Sequence, residues 1–262
     1  MLHALDGVFK VGVGMALDWS VQQMRVSLFS SEAFPVSESG WKLLTGQDEA
    51  ENRVNVPGGR QYSGKLLDGL LALTVTLNRV DIVLAFDPTK PMEISSAQIP
   101  LVGKWIEVWP SFAAAVEPFL ETATSPIVRL AFGASLLALA PSREETYKNL
   151  ASSLKSVQVD VVNMRELIFR INWPQTSSVV PGLEINRITS WGALVFAINA
   201  MQAASSGFVL SPGTQAVHAV SLEIDHNTSG DRKDPFENRH LVPIFRELVT
   251  LANENAEGGE RP

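Results

Sequence analysis

Cysteine is absent from all 262 residues, which removes disulfides, thiolate metal ligands and cysteine nucleophiles together. Phosphate-binding loops are missing as well. Gly12-Val13-Gly14 and Gly58-Gly59 lack the glycine spacing and the Lys-Ser/Thr that such a loop needs. There is no Gly-x-Ser-x-Gly elbow, and the serine pairs at 30–31, 95–96, 152–153, 177–178 and 205–206 have no base beside them in sequence. Excess positive charge is lacking too: the formal net charge is −7. Nine acidic against five basic side chains follow Val220, so a polyanion would be repelled and nucleic acid is not expected as a partner.

Long uninterrupted apolar runs are also missing. The window Leu66–Phe86 contains Asp68, Asn78, Arg79 and Asp81, and Ile127–Ala140 is too short to cross about 30 Å of hydrocarbon as a helix, so no membrane association is expected. The opening residues Met1 to Asp6 show no basic region before an apolar run, so the expectation is a soluble, cytoplasmic protein without a secretory signal.

What is present is a 45% hydrophobic composition, enough for one large domain or two packed modules. Strand-like patterns dominate. Gly7–Leu17 and Met24–Phe29 read as short strands, Leu71–Leu77 and Val80–Phe86 as a hairpin around Asn78-Arg79, and Ile127–Leu139 as a long strand. Val157–Val162, Leu167–Trp173, Leu183–Ile188, Trp191–Ile198 and Val217–Ile224 continue the β-rich pattern. The polar stretch Ser37–Gln61 reads as a surface connection, anchored by Trp41 with Leu43 and Leu44.

Three helices stand out. Trp105, Trp109, Phe112, Val116 and Phe119 fall along one helical face, with a change of axis expected at Pro118. Ser142 followed by Glu145 is a capping-box signal for a helix from Arg143 to about Ser156, with Tyr147, Leu150, Ala151 and Leu154 inward. Leu241, Ile244, Phe245, Leu248, Leu251 and Ala252 form the stripe of a final amphipathic helix. The fold class that follows is α+β, a predominantly antiparallel mixed sheet with packed helices. Asn78-Arg79-Val80 is echoed by Asn186-Arg187-Ile188, which suggests two related halves, 1–122 and 123–262, beside the alternative of one continuous domain.

The candidate sites are few. Asp225-His226-Asn227-Thr228-Ser229-Gly230 approximates the start of a calcium loop, but position twelve is Phe236 where a bidentate glutamate is needed, so no metal site is assigned. In the same stretch His226 is the histidine that Asp225 and Asp231 would tune as a catalytic base. Asn227-Thr228-Ser229 has the form of a glycosylation acceptor, which marks a surface loop. Arg79, Arg170 and Arg187 lie in or beside apolar strands, where two on one face would hold an anion and each alone would pair with Asp81, Glu166 or Glu184. Trp173, Arg187 and Arg232 are the expected ligand or partner contacts. No cofactor is implied. The preferred expectation is a noncatalytic interaction or assembly module with a protein partner or self-association; the alternative is a small-molecule hydrolase built on His226, Asp225 and Asp231.

Overall fold

A computed structural model describes residues 17–35, 39–90, 99–204 and 207–260. The strand expected over 7–17 lies outside them apart from Leu17. The first strand, β1 (Ser20–Ser30), carries Met24, Val26 and Leu28 on its inward side, because successive side chains of a strand alternate between faces. Helix α1 (Ser39–Thr45) follows, and then the meander β2 (Asn52–Val56), β3 (Gly59–Leu66), β4 (Gly69–Thr76) and β5 (Arg79–Phe86).

One helix and two strands therefore occupy the stretch expected as a connection over 37–61. The reason is positional: β2 is an edge strand with both sides exposed, so its composition looks like that of a loop. Trp41 and Leu44 are buried as expected. In the β4–β5 hairpin the two turn residues are Leu77-Asn78, one position earlier than the sequence suggests, and Thr76 Oγ1 donates to the Arg79 carbonyl at 2.9 Å.

After β6 (Gly103–Lys104), helix α2 (Trp105–Glu121) continues through both Pro110 and Pro118 and buries Trp105, Phe112 and Val116. Strand β7 (Ile127–Ala140) leads into α3 (Arg143–Ser153), whose cap is the expected one: Ser142 Oγ accepts the Glu145 N–H at 3.2 Å. Ala151 faces solvent, contrary to the expected stripe, while Tyr147 and Leu150 are buried.

No strand forms over 157–162. Asp160 instead builds a turn, its Oδ1 accepting the N–H groups of Val162 and Asn163, both at 3.0 Å. Strands β8 (Ile168–Asn172), β9 (Gln175–Thr176), β10 (Glu184–Ala204) and β11 (Gly207–Thr228) precede the last helix, α4 (Asn238–Gly258). The two segments expected over 183–198 are one strand, and 225–228 is the end of β11 and not part of a loop.

All strand pairs among the described residues are antiparallel, in the order β2-β3-β4-β5-β1-β7-β11-β10-β8, so the fold is α+β. Each half runs strand, helix, meander, helix, and the last long strand of each meander returns to pair with its first strand. The sheet is continuous across 122/123 through β1–β7 pairing. The Asn-Arg echo falls at unlike places: Arg79 opens β5, whereas Arg187 lies in β10, one strand before the corresponding return.

The helices pack on one face, where the inward rows of the sheet meet Trp41, Phe112, Leu150 and Phe245 in one apolar cluster. Helices α2 and α4 are joined by Arg246, whose Nε and Nη2 donate to Glu117 at 2.7 and 2.6 Å and hold that carboxyl below its usual range. Among the described residues no helix is long and apolar enough to cross a membrane.

The end of α4 is locked to α3. Glu260 N–H donates to the Ser153 carbonyl at 3.1 Å, and Asn255 Nδ2 donates to the Gly259 carbonyl at 2.9 Å. Gly259 has φ +88°, and a Cβ there would lie 2.4 Å from Ser153 O. Gly259→Ala is therefore expected to destabilise the fold by about 1–3 kcal/mol. Urea denaturation checks it; a loss within about 0.5 kcal/mol would show that this junction gives way freely.

Candidate functional site: the helix-free face and the β10–β11 arm

Alternation along the strands sends Met24, Phe132, Ile224 and Trp191 under the helices and sends Arg25, Gly133, Asp225 and Ile188 to the other face, where they are neighbours across four strands. This helix-free face is polar over much of its width. Phe29 lies between two guanidinium groups, with Arg79 Cζ 5.1 Å and Arg129 Cζ 5.3 Å from its ring centroid. Arg79 pairs with Asp81, which also accepts from Ser27 Oγ at 2.5 Å. A chain of amides crosses the other half: Arg129 Nη2 and Asn186 Nδ2 both donate to Asn227 Oδ1, and Asn172 Nδ2 donates to Asn186 Oδ1.

At the centre, Gln23, Arg25, Ser135 and Glu223 surround a depression of about 100 Å³ whose floor is Gly133. Ser135 Oγ donates to Glu223 Oε2 at 2.6 Å. Desolvation at mid-sheet raises the Glu223 pKa, against the opposing pull of that hydrogen bond and of the Arg25 charge, although the side chain still reaches solvent. A surface of alternating sign such as this suits a polar partner better than a polyanion.

The residues singled out from sequence do not converge. Asp225 and His226 are consecutive in β11 and so point to opposite faces: Asp225 to the helix-free side, His226 under α4. His226 is fully buried, its Nδ1 3.3 Å from the Leu248 carbonyl, and its Nε2 makes no well-formed hydrogen bond even though Asn255 approaches the ring. Burial pushes its pKa down to about 4, with Arg187 adding to the fall. Asp231 stands in the exposed turn after β11.

Arg187 is His226's cross-strand neighbour and serves the interior. It donates to Gln175 at 2.9 Å and to Asn255 at 3.1 Å and lies 3.4 Å from Glu254, and burial lowers its pKa. Arg232 folds back on its own loop, donating to the Asp234 carbonyl and stacking 4.7 Å from the Phe236 ring centroid. Trp173 is half-buried, its backbone N–H donating to the Arg187 carbonyl. Arg79 and Arg187 are on opposite faces, while Arg79 and Arg170 share the helix-free face but stand five strand spacings apart and are also offset along the strands. No two of the three arginines form a common anion site. Among the described residues no three His, Asp or Glu side chains converge as metal ligands.

A second concavity of about 100 Å³ opens between α1 and the end of α2, lined by Phe34, Leu43, Leu73, Val75 and Phe119, and no titratable side chain lines it. The most unusual element is the β10–β11 hairpin. Strand β8 accompanies β10 only as far as Gly192, and β7 accompanies β11 only from His218 onward. Beyond those points, among the described residues, the two strands pair only with each other, out to Ala204 and Gly207, forming a two-stranded arm roughly 36 Å long. No Asp, Glu, Lys or Arg stands between Arg187 and Glu223. That gap in charge was visible in the sequence as a signal for the arm, and strand periodicity alone overlooks it.

Leu194 and Val195 are exposed at the arm's base. Beside them Ile99 and Leu101 pack with Leu137, Phe196 and Val217 in a small apolar cluster separate from the main core. No family model matches the chain, and no curated protein is significantly similar to it, so its function has to be read from its own residues.

Proposed function

We propose that the protein is a noncatalytic interaction and assembly module whose contact element is the β10–β11 arm, backed by the polar helix-free face. The observation that carries this reading is the arm itself: a two-stranded ribbon is marginal alone in water, yet among the described residues this one extends beyond the other strands of the sheet, and its sequence carries no charge. A ribbon of that kind gains stability from a protein that covers it. Arg187 and Arg232 hydrogen-bond within their own fold, and this reading assigns the contact to the arm in place of them and of Trp173. The hydrolase alternative draws no support from the geometry, because His226 is enclosed and the two aspartates do not reach it. A cytoplasmic address, consistent with the lack of cysteine, belongs to the same proposal.

Replacing residues 196–217 by Asn-Gly joins Val195 to its ladder partner His218 through a two-residue turn. The shortened protein is expected to keep its melting temperature within about 3 °C, since the arm adds little to the main core. Its native mass in extracts of the source cells is expected to fall to that of the free chain. An unchanged native mass, or a shortened protein that no longer folds, would remove the basis for this function.

A further inference from the structure

We infer that the arm's partner is a second copy of this chain, and that the two copies join edge to edge along β10, antiparallel about a two-fold axis. The inference rests on the assembly reading above and names its partner.

The free edge can be located residue by residue. The Arg187 carbonyl accepts from Trp173 N–H and the Ala193 N–H donates to Leu167 O, so odd-numbered residues of this part of β10 point their backbone groups away from β11, toward β8. The parity holds to Asn199, where the register shifts. The N–H and C=O groups of Val195 and Ala197 therefore face outward where β8 has already ended. At the arm's base Ile99 and Leu101 pack on the helix-free face against Phe196 and Val217, and among the described residues no strand pairs with the outer side of β10 beyond Gly192.

Three features fit a second copy. A strand pairs with its own copy in antiparallel sense about a two-fold axis, so one edge serves both partners. Eleven residues from Leu194 to Ala204 on each chain would exchange about ten backbone hydrogen bonds, the number a stable protein interface typically carries. The body has a net charge of −7 and resists close approach of its like, whereas the stretch between Arg187 and Glu223 brings no charge into contact. A bilayer is the poorer partner, because a single hairpin in hydrocarbon would leave both outer edges unpaired.

Sedimentation velocity of the purified full-length protein at about 1–100 µM tests this. The expected species has twice the 28.5 kDa chain mass. Ala197→Pro deletes an outward donor while sparing the bonds to β11, and Val195→Lys with Ala197→Lys adds charge to the edge at two exposed positions. Both variants are expected to sediment as monomers with an unchanged circular dichroism spectrum, and Val195→Thr with Ala197→Thr is expected to remain dimeric. A wild-type monomer throughout that range overturns the inference, as does a dimer that survives both edge variants, or binding to phosphatidylcholine vesicles by a chain that stays monomeric without them. If the pure protein is monomeric while the arm still governs native mass in the extract, self-pairing fails and the assembly function stands; if neither shows arm dependence, both fail.

Discussion

Trp191→Ala is expected to cost about 3–5 kcal/mol of stability, a fifth or more of what a domain of this kind commonly has. Trp191 is fully buried in β10, on the covered side of the sheet. It meets Trp19 edge to face, with ring centroids 5.9 Å apart, and donates from Nε1 to Thr189 Oγ1 at 3.2 Å. Trp19 in turn donates from its own Nε1 to the Ala256 carbonyl at 2.7 Å, so the two indoles tie β10, the residue before β1 and the end of α4 together. Truncation would leave a cavity at that junction and strip Trp19 of its packing on one side. Thermal melting is expected to shift down by roughly 10 °C. A loss under about 1 kcal/mol in urea would mean that the indole is not enclosed as described.

The second large effect is a dependence on pH that belongs to His226. Its folded pKa of about 4 lies below the ordinary 6.5, so the buried ring is neutral and the unfolded chain binds the extra proton first as pH falls. Stability from this source is complete above about pH 6.5 and is lost progressively between there and about pH 4. Between pH 7.5 and pH 5 the loss amounts to roughly 2 kcal/mol, on the order-of-magnitude footing of the two pKa values. Nearby charge reinforces the direction, because the Arg187 guanidinium disfavours an imidazolium. In His226→Gln this part of the slope should vanish, while the slope from carboxylates common to both proteins remains. Equal pH slopes for the two proteins in urea titrations would show that His226 is not held neutral inside the fold.

The helices and most strands were legible in the residues because each announces itself within a few positions. Ser142 and Glu145 marked the start of α3, the stripe from Leu241 to Ala252 marked α4, and Leu71–Phe86 marked a hairpin, off by one residue at its turn. The misses share a cause. Edge strand β2 exposes both sides and so has no inward row to betray it, and Asp160 turned an alternating stretch into a turn by capturing two backbone donors. The arm escaped notice because its pattern lies in charge that is missing over a long span, not in apolar residues that recur.

The candidate site was less legible than the fold. Asp225, His226 and Asp231 looked like one cluster because they are close in the chain, yet a strand separates adjacent residues onto opposite faces once one face is covered. Arg25, Ser135 and Glu223 gave no hint of each other, since each comes from a different strand and only β1–β7–β11 pairing brings them together.

The amino-acid order by itself determined where the chain alternates, where helices are capped, and that thiol chemistry and excess positive charge are absent. Those properties depend on neighbours a few residues away or on composition alone. Strand order, the covered face, the burial of His226 and the overhang of the arm were decided only when distant segments met, because backbone pairing and shared burial act between residues that the chain itself keeps far apart.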